Sequence, residues 1–243
     1  MVVGKEDSMI LQANPAELAE TYRTAQPFPH IVIDSLFPDE ALQAVLDDFP
    51  TPEGMQWASF NNPRERKLGY YFAISSVSDR IKRFLWEMNG PEMLSFLEKL
   101  TGIDGLIPDP YFGGGGLHQI LPGGFLKIHA DFNRHPKLRL DRRLNVLIYL
   151  NKDWREEWDG HLELWDAAMT SRQKAILPLF NRTVIFSTTD GSFHGHPSPL
   201  ACPAGFTRKS VSLYYYTNGR PSAEESSPHD TLFQKRFADE WKD

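Results

Sequence analysis

Between residues 109 and 217 the sequence is a series of short segments rich in β-branched and aromatic residues, separated by turns that contain glycine or proline. No long helical repeat lies between one segment and the next, which is typical of a double sheet or barrel of the jelly-roll kind. We therefore expect a mainly β core. The segments are GLHQIL, FLKIHADF, RLNVLIYLN, HLELWD, AILPLF, TVIFSTT and KSVSLYYYT.

The part before residue 109 carries apolar residues at helical spacing, so we expect flanking helices. We find no repeat and no linker-like stretch, and therefore expect one domain in which the helices cover one sheet. Its parts are a helical support region (1–108), a β core (109–220) and a C-terminal segment (221–243). The predicted helices span residues 14–24, 39–49, 76–88 and 91–100, with a last helix at 230–241 that packs through Phe233, Phe237 and Trp241.

Charge and cysteine content indicate which partners and which cell compartment to expect. Lys plus Arg number 26 and Asp plus Glu 32, a net charge of −6, which argues against a nucleic-acid-binding face. The lone Cys202 cannot form an intramolecular disulfide, which favours a reducing compartment. No apolar run has membrane-spanning length, and the N-terminus does not resemble a signal peptide. We expect a cytoplasmic protein without membrane or nucleic-acid partners.

A metal-binding pattern lies in the segment FLKIHADF. Side chains alternate faces along a strand, so His129 and Asp131 point to the same side and can bind one ion. His194 and His196, in SFHGHPSPL, follow a predicted strand and either can supply a third ligand. Both share a face of an extended chain, so spacing does not choose between them. The set predicted is the 2-His-1-carboxylate triad that leaves coordination positions open on Fe(II).

A second pattern indicates an anionic cosubstrate. Arg208 and Ser210 share one face of the last strand, and a guanidinium inside a barrel is costly unless it meets an anion. A dicarboxylate fits, because arginine presents a planar fork that matches a carboxylate. Alternation on RLNVLIYLN puts Asn145, Leu147 and Tyr149 on a common face, and the Tyr149 hydroxyl is a candidate second donor.

Taken in order, these motifs resemble the prolyl 4-hydroxylase-like branch of the Fe(II)- and 2-oxoglutarate-dependent dioxygenases. The resemblance covers residues 117–217 and implies a double-stranded β-helix, a jelly-roll core like that of the cupins. The HxD pattern alone is weak evidence for this resemblance. The combination of HxD, a distant histidine and RxS in that order, with YLNKDW between HxD and the histidine, is specific evidence. The matching pieces are LPGGFLKIHAD, NVLIYLNKDW, DGHLELWD, FNRTVIFST, SFHGHP and RKSVSLYYYT.

The resemblance also implies roles for individual residues. His194 is favoured over His196, because the family's ligand is the first histidine of the S-x-H-G pattern. Many relatives have a tyrosine where this chain has Leu121, so Asn145 or Ser210 is a candidate substitute in cosubstrate binding. The roles implied are iron ligation by His129, Asp131 and His194, and binding of the distal 2-oxoglutarate carboxylate by Arg208, assisted by Tyr149 and Ser210.

The implied activity is an Fe(II)- and 2-oxoglutarate-dependent hydroxylation that consumes O2 and releases succinate and CO2, with ascorbate as a candidate further cofactor. The substrate expected is a small molecule, an amino acid or a peptide that is oxidised at an unactivated C–H bond. Asp131 favours hydroxylation, because related halogenases lack this carboxylate. Desaturation, cyclisation and dealkylation stay open, as does a non-catalytic metal-binding β-barrel; Arg208 and the complete ligand set favour an enzyme.

Entrance loops should determine the substrate. The basic stretch at residues 134–143 is either a solvated loop or a lid that attracts an anionic substrate. Residues 70–72, 132–143 and 168–174 are the candidate entrance loops. We expect three further histidines, His135, His161 and His196, to lie behind the metal ligands or at the surface. We expect Trp154, Trp158 and Trp165 to pack in the core and at its rim rather than to form a substrate cage.

Overall fold

The computed structural model describes residues 11–70, 76–237 and 239–240. Within them the chain forms four helices and thirteen strands, and no helix is long and apolar enough to cross a membrane. The helices are α1 (Pro15–Thr24), α2 (Asp39–Asp47), α3 (Asp79–Met88) and α4 (Pro91–Thr101). The strands are β1 (His30–Asp34), β2 (Ala58–Asn61), β3 (Glu65–Gly69), β4 (Ile107–Pro108), β5 (Gly116–Ile120), β6 (Phe125–Ala130), β7 (Asp141–Tyr149), β8 (Leu162–Trp165), β9 (Arg172–Ile176), β10 (Arg182–Ser187), β11 (His194–His196), β12 (Arg208–Thr217) and β13 (Leu232–Phe233).

The strands form two antiparallel halves joined by β3. One half has the order β1-β10-β7-β12-β5 and the other β6-β11-β8-β9. Strand β3 pairs with β2 along one edge. Along its other edge it pairs with β5 through Leu68 and Gly69 and with β6 through Glu65 and Arg66, so it bridges the two halves. Residues from both halves line a common cavity. This is the mainly β, double-stranded β-helix core that the sequence predicts.

The main hydrophobic core lies between the helices and the first half of the sheet. On β7, Leu144, Val146 and Ile148 are fully buried in this core, whereas the alternate residues Asn145 and Tyr149 face the cavity. Burying an aliphatic side chain of this kind contributes about 1.5–3 kcal/mol. Packing on one face of β7 therefore fixes which residues the opposite face presents to the cavity.

The four helices begin and end within three residues of the predicted bounds. Asn14 caps α1 and Ser78 caps α3, each by accepting a backbone N–H bond. Helix α4 ends at Gly102 in the left-handed region, with φ 71°. The apolar faces of α3 and α4 pack into the main core as expected.

Three segments differ from the sequence prediction. The β2–β3 hairpin arises from a polar stretch for which we predict no strand, and AILPLF contributes only its first two residues to β9. The expected C-terminal helix is absent from the described part of residues 230–241. There β13 pairs with β6 instead, because this strand offers free backbone groups beside His129, and Phe237 is exposed. Trp241 lies outside the described residues.

Candidate metal centre and cosubstrate pocket

A cavity of about 270 Å³ lies between the two halves of the sheet. Strand alternation supplies its walls, since every second residue of β3, β5, β7 and β12 points inward. The segment around β13 contributes Thr231 and Phe233 to its border. Polar and charged lining residues are Glu65, Lys67, His118, His129, Asp131, Asn145, Tyr149, His194, His196, Arg208, Ser210, Ser212, Tyr214 and Thr231.

His129, Asp131 and His194 come together at this cavity. His129 and His194 are directly opposite each other on the neighbouring strands β6 and β11, with ring centroids 4.5 Å apart. Their Nε2 atoms lie 3.5 and 3.4 Å from the two carboxylate oxygens of Asp131. One ligand atom from each residue falls within 4.8 Å of the others, a geometry that can hold one metal ion.

Backbone carbonyls orient both imidazoles. Nδ1 of His129 is 2.8 Å from the carbonyl oxygen of Lys127, and Nδ1 of His194 is 3.0 Å from that of Ser192. A carbonyl only accepts, so in the neutral ring Nδ1 donates and Nε2 keeps its lone pair for a metal. Burial lowers the pKa of His194 to about 4, against the opposing field of Asp131. These residues therefore fit a divalent iron ion.

Arg142 and Asn145 fix the Asp131 carboxylate. The Asn145 amide donates to Oδ2 at 2.7 Å, and a guanidinium nitrogen of Arg142 lies 3.1 Å from the same oxygen. Burial alone would raise the pKa of Asp131, but Arg142 and the two imidazoles hold it well below its usual range. The carboxylate is therefore ionised and held in one orientation before any metal arrives.

The burial of Arg142 follows from a β-bulge. Leu144 pairs with Tyr215 and Arg142 with Tyr216, so Arg143 is an extra residue on β7. The bulge shifts Arg142 out of strict alternation and turns it toward Asn145. There the guanidinium lies 3.5 Å from the ring centroid of Tyr214. Simple alternation gives no sign of this role, and Arg142 was not among the predicted site residues.

Gly195 allows β11 to approach the HxD strand closely. A Cβ at this position would lie 2.8 Å from the carbonyl oxygens of both Leu126 and Lys127. The register shifts between His194 and His196, so both histidines line the cavity. Glycine between the two histidines is therefore a requirement of the strand pairing.

Arg208 lies deep in the cavity with a mostly buried side chain. Its Nε donates to the carbonyl of Gly160 at 2.8 Å, and a terminal nitrogen donates to the Tyr149 hydroxyl at 3.2 Å. Gly160 has φ 79°, and a Cβ there would lie 3.1 Å from Cδ of Arg208, so glycine leaves room for this side chain. Among the described residues no carboxylate pairs with Arg208, and burial lowers the pKa of its guanidinium.

Ser210 and Asn145 are the two residues predicted to take part in cosubstrate binding in place of a tyrosine at position 121. Ser210 lines the cavity, next to Tyr149 in the pairing of β12 with β7. Asn145 also lines the cavity, where it donates to Asp131 and accepts from Arg142 through Oδ1. Leu121 is partly exposed and does not line the cavity.

Four further histidines of the β region lie in three kinds of environment. His135 is buried, bonds Asp109 at 3.3 Å and accepts two backbone N–H groups, which is a structural role. His161 pairs with Glu156 away from the cavity. His118 lines the cavity with Nε2 near the Gly114 carbonyl and Nδ1 near Ser212. His196 lines the cavity, and its side chain has no hydrogen-bond partner among the described residues.

The candidate entrance loops contribute little to the cavity. Within the described parts of residues 70–72, 132–143 and 168–174, only Phe132 lines it. Tyr70 packs in the main core, and Tyr71 and Phe72 lie outside the described residues. In the basic stretch, Arg142 and Arg143 are buried strand residues, while Arg134 and Arg139 are exposed. Trp154 and Trp158 pack together with Leu200, as expected.

Comparison with known proteins identifies the family. Residues 115–216 match the model of the 2OG-Fe(II) oxygenase superfamily. Through these residues the chain contains a β core of this superfamily. It is a 2-oxoglutarate-dependent dioxygenase, with Fe(II) and 2-oxoglutarate as its metal and cosubstrate. A search of curated proteins found no match.

Solved structures share the fold of this 2OG-Fe(II) oxygenase. A Pseudomonas putida prolyl-4-hydroxylase is 14% identical, with TM-score 0.61, covering 85% of this chain and 100% of that one. A Trichoplax adhaerens prolyl hydroxylase, in complex with a hypoxia inducible factor peptide fragment, is 15% identical, with TM-score 0.57 and coverages of 83% and 88%. HygX from Streptomyces hygroscopicus, with nickel, 2-oxoglutarate and hygromycin B, is 12% identical, with TM-score 0.57 and coverages of 89% and 96%.

Proposed function

We propose that this dioxygenase hydroxylates an unactivated C–H bond of a small molecule or an amino-acid side chain, with release of succinate and CO2. The observation that carries the proposal is the guanidinium of Arg208, which has no carboxylate partner among the described residues and is buried in the same cavity as the His129, Asp131 and His194 triad. A buried cation without a carboxylate partner is costly, and a dicarboxylate that spans from the metal to Arg208 removes that cost. We further propose that the whole chain forms one domain around this cavity.

In this proposal His129, Asp131 and His194 hold Fe(II), and Arg208 with Tyr149 binds the distal carboxylate of 2-oxoglutarate. Once bound, metal and cosubstrate supply the oxidative decarboxylation through which the family oxidises its substrates. The protein positions the metal ligands and the cosubstrate-binding groups and shields them from water. The carbonyls of Lys127 and Ser192 fix the two imidazoles. Burial raises the pKa of the Tyr149 hydroxyl, so it remains a neutral donor.

The rest of the cavity favours a small, polar substrate. Its volume of about 270 Å³ lies just below the usual range for ligand pockets, roughly 300–1,000 Å³, and 2-oxoglutarate takes part of it. Glu65 and Lys67 face the cavity and pair with each other at 3.0 Å. Phe60 and Phe233 border the same space. An anionic group of the substrate would meet Lys67 here, whereas the exposed basic loop does not line the cavity.

The test combines cosubstrate turnover with a substrate screen. Protein loaded with Fe(II) under anaerobic conditions is exposed to O2 and 2-oxoglutarate with candidate small molecules and amino acids, and succinate is measured. Mass spectrometry then identifies a product that has gained one oxygen atom. We expect Asp131→Ala to abolish turnover, because one metal ligand is lost. Asp190→Ala serves as the matched control, since Asp190 also pairs with a histidine, His229, but lies outside the cavity.

The outcomes separate the candidate functions. Near-normal hydroxylation by Asp131→Ala would contradict the proposed ligand set. A product that has lost hydrogen without gaining oxygen would indicate desaturation or cyclisation in the same site, and a smaller product would indicate dealkylation. Absence of succinate with every compound in an iron-loaded protein would favour a non-catalytic metal-binding barrel.

A further inference from the structure

We infer that His196 is a third donor to the distal carboxylate of 2-oxoglutarate, beside Arg208 and Tyr149. This inference rests on the proposed position of the cosubstrate between the metal and Arg208. It assigns a positioning role to a histidine that the triad does not use.

Strand pairing puts His196 near the guanidinium of Arg208. Strand β11 pairs with β8 so that His194 faces Leu164 and Gly195 faces Glu163, and continuing this register brings His196 beside Leu162. Two residues before Leu162 is Gly160, whose carbonyl accepts the Nε hydrogen bond of Arg208. His196 and Arg208 therefore approach the same end of the cavity from opposite halves of the sheet.

The electrostatic surroundings of His196 agree with this position. Two cationic side chains, Arg208 and Lys67, line the same cavity as His196. An imidazole carries at least one N–H group in either protonation state, so His196 can donate to an anion at this end of the cavity. Bound at this end, a carboxylate would receive hydrogen bonds from a guanidinium, a phenol and an imidazole on three different strands.

His196 also lacks any partner of its own. Its side chain is only 4% exposed, and neither ring nitrogen forms a hydrogen bond with a described residue. Leaving a buried polar group unsatisfied costs about 1–3 kcal/mol, so an unpaired imidazole in a ligand cavity indicates that the ligand supplies the partner. His118 in the same cavity provides the contrast, because Gly114 and Ser212 already satisfy both of its nitrogens.

The test measures cosubstrate binding without turnover. Calorimetry on Ni(II)-loaded protein gives the dissociation constants of 2-oxoglutarate and of 2-oxopentanoate, which lacks the distal carboxylate. We expect His196→Leu to weaken 2-oxoglutarate about 10- to 150-fold, the range for a lost hydrogen bond to a charged group, and to leave 2-oxopentanoate within about twofold. His196→Gln, which retains an N–H donor, should recover most of the affinity. His118→Leu is the matched control and should not change the ratio of the two constants.

Two results would overturn the inference. One is an unchanged 2-oxoglutarate affinity in folded His196→Leu, and the other is an equal loss for both ligands, which would mean a general structural effect. His196→Phe keeps an aromatic ring and has no donor, and it replaces His196→Leu should the latter not fold. If the unmodified protein does not bind 2-oxoglutarate at all, the proposed function fails first, and this result is distinct from a failure confined to the variants.

Discussion

Arg142 and Asp131 form a buried ion pair at the candidate metal centre, with 3.1 Å between a guanidinium nitrogen and a carboxylate oxygen. Arg142 is fully buried, and the same oxygen of Asp131 also accepts from Asn145. A metal ion would join these two groups in neutralising the carboxylate. The pair therefore links the stability of the metal-free protein to its metal affinity.

Replacing Arg142 should destabilise the metal-free protein and increase the stabilisation by metal. In Arg142→Met the Asp131 carboxylate loses its buried counter-ion, which costs about 3–5 kcal/mol. A bound cation restores part of this loss, so Ni(II) should raise the melting temperature more in the variant than in the unmodified protein. Arg143→Met is the control, because its guanidinium faces Thr217 and Glu224 instead. An equal Ni(II) effect in both variants would contradict the linkage.

Removing Arg208 should weaken 2-oxoglutarate selectively. Truncating one partner of a buried charge pair costs about 2–5 kcal/mol, so Arg208→Met should raise the dissociation constant at least about 30-fold. Binding of 2-oxopentanoate should change little, because it has no distal carboxylate. Calorimetry on Ni(II)-loaded protein measures both constants. An unchanged 2-oxoglutarate affinity would mean that another residue anchors the cosubstrate.

A methyl group at position 195 should disturb the metal centre. In Gly195→Ala the new Cβ meets two carbonyl oxygens of β6, so β11 must move and His194 with it. We expect a loss of about 1–3 kcal/mol in the free energy of unfolding. Metal affinity should fall about 10- to 100-fold as the ligand geometry is lost. Gly191→Ala is the control, since its Cβ would contact only the Ala167 side chain at 3.4 Å. Equal metal affinity in the two variants would refute this account of Gly195.

The buried histidines should make the metal-free protein sensitive to mild acid. Burial, with a smaller contribution from Lys67, lowers the pKa of His118 to about 3, whereas an unfolded chain protonates histidine near pH 6.5. Between these values the unfolded state binds more protons, so the free energy of unfolding falls as the pH falls. Urea unfolding at about pH 7.5 and about pH 5 should show a smaller loss for His118→Gln than for the unmodified protein. Identical losses would mean that the His118 imidazole is accessible to protons in the folded state.

Local patterns predict much of the fold because the relevant forces act over a few residues. Alternation on β7 gives the inward positions of Asn145 and Tyr149, and helix caps such as Asn14 and Ser78 give the helix starts. The same alternation puts His129 and Asp131 on one face. These features depend on side-chain direction and local hydrogen bonds, which the order of residues determines.

Other features depend on pairing between distant segments. The bulge that buries Arg142 exists only in the register of β7 against β12, and β13 forms only because β6 offers it an edge. The choice between His194 and His196 as the third metal ligand also depends on pairing between distant segments. Spacing puts both on one face, while the structure brings His194 to the triad and leaves His196 without a partner in the described part of the chain.

The pairing of the HxD strand has a consequence for folding. Strand β6 receives its hydrogen bonds from β3, β11 and β13, which are far from it and from one another in the sequence. Each pairing closes a long loop, and contacts of such high contact order form slowly. The metal-binding geometry should therefore be among the last parts of the protein to form. A partly folded chain would have little metal affinity and would not bind iron prematurely.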